Sequence, residues 1–281
     1  MKILITGTHG FVGTNLIEAF SGEHQIIRWD VRSHETLPEV DAVIHLAAKV
    51  HDTKNSASKE EYFYVNTELT KNIYTKFANS TARIFIYFSS IKAVENDTPY
   101  AKSKFAAEKF INNYYKSNPS FLKRTYILRP CLIHGKGVKA NFRSLYNYVK
   151  SGYPWPFASF ENKRSYTSIG NVIFVVRELL EKDIKSQTFN VCDDEPISTN
   201  TIVRLICEST GKKCRMLQIP KCIIYNVARM GDWLHLPLNM ERLEKISGDF
   251  VVDNKDLKEA LGIKEMPIRA FDGLKSTMSV M

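Results

Sequence analysis

The stretch that decides the fold is "KILITGTHGFVG", Lys2 to Gly13. "KILIT" is an apolar, β-branched run that reads as a short buried strand, and "FVGTNLIEAF" (11–20) repeats its apolar residues with helical period. Between them glycines stand at positions 7, 10 and 13. Glycine permits a tight turn and lets another group approach the backbone where a Cβ would stand in the way. The helix that follows offers unpaired N–H groups and the positive end of its dipole. Strand, turn and helix together predict a site for the diphosphate of a dinucleotide, with spacing G-x-x-G-x-x-G in place of the commoner G-x-G-x-x-G.

Outward from this turn the first half keeps alternating. Strand-like runs at 24–29, 42–48, 83–90 and 124–130 are separated by helical stretches at 58–78 and 99–117. Such alternation predicts an α/β fold, a Rossmann-type doubly wound parallel sheet with helices on both faces. Only the eleven residues 31–41 join the second strand to the third, and a crossover between parallel strands ordinarily takes a dozen or more with a helix. A missing helix is predicted there. After Pro130 short strands ("TFNVC", 188–192) and helices near 141–151, 170–181, 199–210 and 220–230 mix with turn residues. The division predicted is a dinucleotide-binding core over 1–130 and a smaller lobe over 131–281, with a segment of about 165–192 returning to the core.

Bulk composition bounds the rest. A chain of 281 residues with 44% apolar content can fill a substantial core. The net charge of +9 suits anionic ligands or an anionic surface. No block of five or more basic residues and no nucleic-acid reading motif occurs, so nucleic acid is not a predicted partner. No apolar run reaches the roughly 18 residues of a membrane span, and the start is too short for a secretory signal; a cytoplasmic protein is expected. Five cysteines, an odd number without a C-x-x-C pair, predict neither a disulfide framework nor a metal site.

At the end of the second predicted strand, Asp30 is placed to accept hydrogen bonds from an adenosine ribose. Arg32 is suited to a 2′-phosphate or to the adenine face, and equally to solvent, so the choice between NAD and NADP stays open. In "TPYAKSK", Tyr100 and Lys104 are four apart at the start of a predicted helix and share a face. Tyr146 and Lys150 have the same spacing. Only Tyr100 follows a predicted sheet strand, "RIFIYFSS", whose Ser89 and Ser90 fall at its C-terminal end, where parallel sheets bind ligands.

"GTHGFVG", "HLAA", "FSS", "PYAKSK" and "LRP" occur in an order that resembles the extended short-chain dehydrogenases/reductases, the NAD-dependent epimerase/dehydratase family, over nearly the whole chain. That resemblance implies a catalytic set of Ser90, Tyr100 and Lys104, Ser90 being chosen over Ser89 by the match of "FSSIKAV" to the family's strand end. It adds Phe11, Val12, Leu46, Ala47 and Ala48 to Gly7, Gly10, Gly13, Asp30, Arg32, Tyr100 and Lys104 as cofactor-binding residues. Tyr100 is expected to exchange a proton with a sugar oxygen that Ser90 also hydrogen-bonds, while hydride passes to or from a nicotinamide. Lowering a tyrosine by about three pKa units takes roughly 4 kcal/mol, expected from the lysine and an oxidised nicotinamide ring.

"LRPCLIHGKGVKANF" and "NKRSYTSIGNV" resemble segments that close over a nucleoside diphosphate sugar, which implies Asn141 and Arg164, with Ser90, as substrate-binding residues of the smaller lobe. Through "HLAAKVH", "SSIKAV" and "VKANFRSL" the likeness extends to short bacterial members acting on UDP-linked sugars. It implies reduction of the C4 keto group of a UDP-4-keto-6-deoxy-N-acetylhexosamine for surface polysaccharide synthesis, with a UDP-glucose or UDP-N-acetylglucosamine 4-epimerase as the alternative. A non-catalytic dinucleotide-binding module is the alternative of another class. Helix 99–117 carries more apolar surface than one buried face needs, and pairing with 58–78 implies a homodimer. The stretch from Ser90 to Tyr100 is shorter than the family's usual substrate loop; His51 and Lys92, near it, are assigned no role.

Overall fold

The computed structural model describes residues 1–33, 35–50, 58–95, 97–119, 122–138, 141–236 and 238–281, with the backbone alone of residue 141. His51 lies outside the described residues. Two compact units result, one of Met1–Cys131, Asn171–Val191 and Asn254–Glu265, the other of Leu132–Gly170, Cys192–Asp253 and Met266–Met281.

In the first unit β1 (Lys2–Thr6), α1 (Phe11–Phe20), β2 (Gln25–Trp29) and β3 (Ala42–His45) are followed by a long helix, α2 (Lys59–Phe63) continuing through a π-helical turn (Tyr64–Glu68) into α3 (Leu69–Ala78). Then come β4 (Ile84–Phe88), α4 (Lys92–Glu95), α5 (Pro99–Ser117) and β5 (Arg124–Pro130). The second unit begins with β6 (Leu132–His134), α6 (Asn141–Lys150) and β7 (Tyr166–Ser168). After α7 (Ile169–Glu181) and β8 (Gln187–Val191) come α8 (Thr199–Thr210), α9 (Lys221–Leu234), α10 (Met240–Ser247), α11 (Lys255–Leu261) and α12 (Ala270–Ser279).

The sheet of the first unit runs β2-β1-β3-β4-β5-β8, every neighbouring pair parallel, so this is the doubly wound Rossmann-type arrangement. The chain leaves β1 for one edge and returns to its other side at β3, which puts the topological switch point between β1 and β3. Strands β3 and β4 are buried at every position, which is why they read as unbroken apolar runs. On one face Leu4, Val43, Phe85, Tyr87 and Ile127 pack with Ile73, Tyr74 and Phe77 of α3 and Ala107 and Ile111 of α5.

No helix joins β2 to β3 among the described residues. Val31 and Val40 are buried in this core, Leu37 packs against it, and Lys76 at the end of α3 donates to the carbonyl oxygens of Ser33 and Glu35, at 2.7 and 2.6 Å. The strap thus supplies three apolar plugs and accepts one ammonium where a crossover helix would otherwise lie. In the second unit β6 and β7 pair in parallel, and α6 and α12 each pack against α8 or the small sheet.

Candidate functional site

Gly7 ends β1 in the left-handed region, with φ +69°, and a Cβ there would fall 2.7 Å from the nitrogen of Ala47. The turn therefore lies against the C-terminal end of β3, at the switch point. Gly13 is just as confined, its absent Cβ 2.5 Å from the Gly7 carbonyl oxygen. Gly10 differs: a Cβ would meet only that same oxygen, at 3.2 Å, and the residue is exposed. It caps α1, whose first turn holds no acidic side chain. Two glycines thus let the turn close, and the third leaves an open, positively polarised surface that fits a diphosphate. Phe11 and Val12 follow in the first turn, half-buried.

Beneath "HLAA" lies a hydrogen-bond chain whose direction follows from its members. Thr70 donates its proton to the Asn66 carbonyl oxygen at 2.8 Å, so it accepts from His45 Nε2 at 2.9 Å. His45 Nδ1 is then the bare nitrogen, and receives the Thr6 hydroxyl at 2.7 Å. The Thr6 oxygen in turn accepts the N–H groups of Leu46 and Ala47, each at 3.2 Å. Burial above all, and then Lys104, push His45 down to about 3, so the imidazole is neutral as this pattern requires. Asn66, buried in the π-helical turn, holds both the N–H and the carbonyl of Lys49, at 2.7 and 3.0 Å, and donates to Ser103 of α5 at 2.9 Å. Thr6 thus holds Leu46 and Ala47, and Asn66 holds Lys49, the next residue but one.

Asp30 and Arg32 are both exposed just past β2, and Asp30 Oδ1 accepts the backbone N–H of Arg32 at 3.0 Å. This turn leaves the second carboxylate oxygen and the guanidinium to other partners.

Ser90, Tyr100 and Lys104 come together at the C-terminal end of β4. Thr98 caps α5 by accepting the N–H of Ala101, with Pro99 in the first turn, and this starts the helix one residue before Tyr100. The Ser90 hydroxyl lies near enough to Tyr100 to act on it. Burial raises Tyr100 above the ordinary tyrosine value, Ser90 opposes this, and Tyr62 adds to it. Lys104 is buried, its ammonium donating to the Phe88 carbonyl oxygen at 2.7 Å and standing 4.8 Å from the centre of the Tyr87 ring. Burial lowers it to about 7, against the pull of Glu108 one turn on. In the protein alone desolvation dominates at Tyr100, and the Lys104 ammonium is directed to Phe88.

Ser89 faces elsewhere. It donates to Glu108, which also receives Arg129 Nε at 3.0 and 3.1 Å, so buried Ser89 and Glu108 and half-buried Arg129 form a cluster beside Lys104. Tyr146 is likewise occupied, buried on α6 with the Lys150 ammonium over its ring at 5.5 Å. Lys92 pairs with Glu95 on the short helix α4.

In the second unit Asn141 opens α6. Arg164 donates to the Gly248 carbonyl oxygen at 3.0 Å, lies over the Phe250 ring and stands near the Tyr166 phenol, whose ionised form its charge favours. Sequence reasoning missed Thr6, Asn66 and Glu108. A polar residue inside an apolar run was the available signal for Thr6; Asn66 and Glu108 carried none, because their role depends on the elements they meet.

The NAD dependent epimerase/dehydratase family matches residues 3–192. A UDP-glucose 4-epimerase of Vibrio cholerae is 29% identical, over 98% of this chain and 94% of that protein. An N-acetyl-alpha-D-glucosaminyl-diphospho-ditrans,octacis-undecaprenol 4-epimerase of Escherichia coli O157:H7 is 24% identical, over 88% and 81%. Among solved structures, the UDP-glucuronic acid 4-epimerase of Bacillus cereus in complex with NAD superimposes with TM-score 0.75 at 18% identity, covering 100% of this chain and 98% of that one; this likeness bears on the fold.

Proposed function

We propose, from the premise that this chain belongs to the NAD dependent epimerase/dehydratase family, that it carries out oxidoreduction at C4 of a UDP-linked hexose, in the direction of net ketone reduction. The observation that carries the reading is the contact of Tyr100 with Ser90 beside buried Lys104, at the end of the sheet where the glycine turn lies.

The glycine turn and the start of α1 would hold the dinucleotide's diphosphate. Asp30 would accept from the adenosine ribose, Arg32 would meet its 2′-position or the adenine, and Leu46, Ala47 and Ala48 would line the path towards Tyr100 and Lys104. The nicotinamide, when bound, supplies or accepts the hydride. Tyr100 gives its hydroxyl proton to the C4 oxygen as a carbonyl is reduced, and takes one back in the reverse direction. Ser90 donates to the same oxygen and holds the tyrosine hydroxyl in place. Lys104, shielded from water, loses little of its field to solvent, and its charge favours the tyrosinate left behind. Asn141 and Arg164 would contact the sugar nucleotide's diphosphate, the guanidinium by its paired donors.

Net reduction is favoured by the helix-free connection between β2 and β3. Fewer residues enclose the adenosine end, which suits a cofactor exchanged at every turnover. The 4-epimerase reading is favoured by the Vibrio cholerae relative, matched over nearly all of both chains. Purified protein is expected to carry little dinucleotide and to oxidise added NADH or NADPH stoichiometrically with a UDP-4-keto-6-deoxy-N-acetylhexosamine. Tightly held NAD, with UDP-galactose and UDP-glucose interconverting and no net cofactor consumed, would replace reduction by epimerisation.

A further inference from the structure

Helix α9 has two apolar faces. One is buried: Ile224 and Ala228 pack with Phe160 and Leu243, and Gly231 lets the chain double back so closely that a Cβ there would fall 1.7 Å from the Leu238 carbonyl oxygen. The second has no cover among the described residues. Ile223, Val227, Met230 and Leu234 follow one another at spacings of four, three and four, and so share a side of the helix. They are 44% to 56% exposed, and Trp233 beside them is 79% exposed. Among the described residues, eight of the twenty exposed large apolar side chains fall within 217–236. Single exposed apolar residues are ordinary on a protein surface, but a contiguous concentration marks a contact site.

Charge identifies the occupant. Residues 211–236 include Lys212, Lys213, Arg215 and Arg229, all exposed, against Asp232 as the one acid of that span, whose carboxylate accepts the Met240 N–H at 3.4 Å. The Lys221 ammonium instead stands over the Phe160 ring at 5.4 Å, on the buried side of α9, and Glu241 and Glu244 follow on α10. A second copy of this cationic surface would set like charges together. An anionic bilayer meets both features: aliphatic side chains enter the acyl boundary, the indole rests at headgroup depth, and ammonium and guanidinium groups reach lipid phosphates. No helix among the described residues is long and apolar enough to cross a membrane, so the contact is one of lying on the surface.

We infer that the outer face of α9 seats this protein on an anionic lipid bilayer. Vesicle binding reads this without turnover, so it stands or falls apart from the catalytic reading. The full chain is mixed with phosphatidylcholine vesicles with and without phosphatidylglycerol, and binding is followed by flotation and tryptophan emission. Flotation with the anionic vesicles, weakened by salt, and a blue shift lost in Trp233→Phe are expected; Trp155 is buried and Trp29 half-buried, so neither mimics that signal. Val227→Glu with Met230→Glu should abolish flotation while circular dichroism and the melting temperature hold. Lys213→Glu with Arg229→Glu, which keeps the apolar face, should weaken partitioning by about fivefold or more for each cation removed. Failure of the wild type to float, flotation retained in the Val227/Met230 variant, or a dimer in light scattering that this variant disrupts while vesicles stay bare would each overturn the inference.

Discussion

The three glycines of the first turn divide into two that the fold needs and one that a ligand needs, and alanine at each separates the roles. At Gly7, φ of +69° costs an L-residue about 1–2 kcal/mol, and the methyl would lie 2.7 Å from backbone nitrogen that cannot swing aside. At Gly13 the conformation is ordinary, but the methyl would lie 2.5 Å from the Gly7 oxygen and 2.9 Å from Thr8 Cα. Overpacking of this kind costs about 1–3 kcal/mol. Gly7→Ala is therefore expected to lose about 2–5 kcal/mol and Gly13→Ala about 1–3 kcal/mol, a fall of several degrees or more in melting temperature for a chain this size. Gly10 has φ −76° and ψ 165°, an extended conformation that alanine adopts freely, and its methyl would meet one oxygen at 3.2 Å. Relief of unfolded-state entropy, about 0.4–1 kcal/mol, roughly balances that contact. Gly10→Ala should melt close to the wild type yet bind NAD or NADP about five- to a hundredfold more weakly, because its methyl occupies the approach to the diphosphate; Gly10→Val should abolish binding. Calorimetric scanning and titration measure the two effects separately. Equal destabilisation by Gly10→Ala and Gly13→Ala, or undiminished binding by Gly10→Ala, would refute this division.

Tyr100→Phe is expected to leave both ligands bound and lower turnover by about a hundredfold or more, while Tyr146→Phe does little; steady-state kinetics with equal losses would show the wrong tyrosine was chosen. Lys104 titrates near 7 in the fold and near 10.5 when unfolded, so between these values the unfolded chain binds the extra proton and stability rises with pH. Lys104→Met should be the more stable protein at pH 7, by an order of a few kcal/mol, and the gap to wild type should narrow at pH 9 in urea titrations; a constant gap would disprove the burial cost. Tyr64 on the π-helical turn and Phe105 on α5 stand exposed, at 54% and 41%, and a homodimer built on these helices is expected in light scattering at micromolar concentration. A monomer there would remove it.

What the sequence disclosed was whatever local chemistry alone determines. Strands "KILIT" and "RTYILRP" and helix 99–117 were read with the bounds the structure has, because β-branched runs, Thr98 and Pro99 mark their own ends. The missing helix was legible as a length too short to hold one; how Lys76, Val31 and Val40 replace it was not, since that depends on α3 lying alongside. Helices α10, α11 and α12 escaped notice although Asn239 caps the first by accepting the Arg242 N–H and Gly262 ends the second in the left-handed region. Their apolar stripes are short, and a period needs length to stand out. The π-helical turn had no local signature: it aligns Asn66 with Lys49 and Ser103, residues 17 and 37 positions away.

The two buried bases of the first unit show why the polar interior was the least legible part, and what it is for. His45 is complete: each ring nitrogen has one partner, each partner's other bonds are made, and the result is a neutral bracket under Leu46 and Ala47. Lys104 is not complete in that sense. Among the described residues its partners are one carbonyl and one ring face, and the carboxylate that faces it, Glu108, is already shared with Arg129 and Ser89. A group balanced like His45 adds rigidity, whereas an ammonium with spare donors and a committed counter-charge costs stability until a further acceptor arrives. Both arise from single polar residues in ordinary sequence surroundings, and only the neighbours supplied by the fold make one a satisfied strut and the other a buried ammonium whose counter-charge is shared elsewhere.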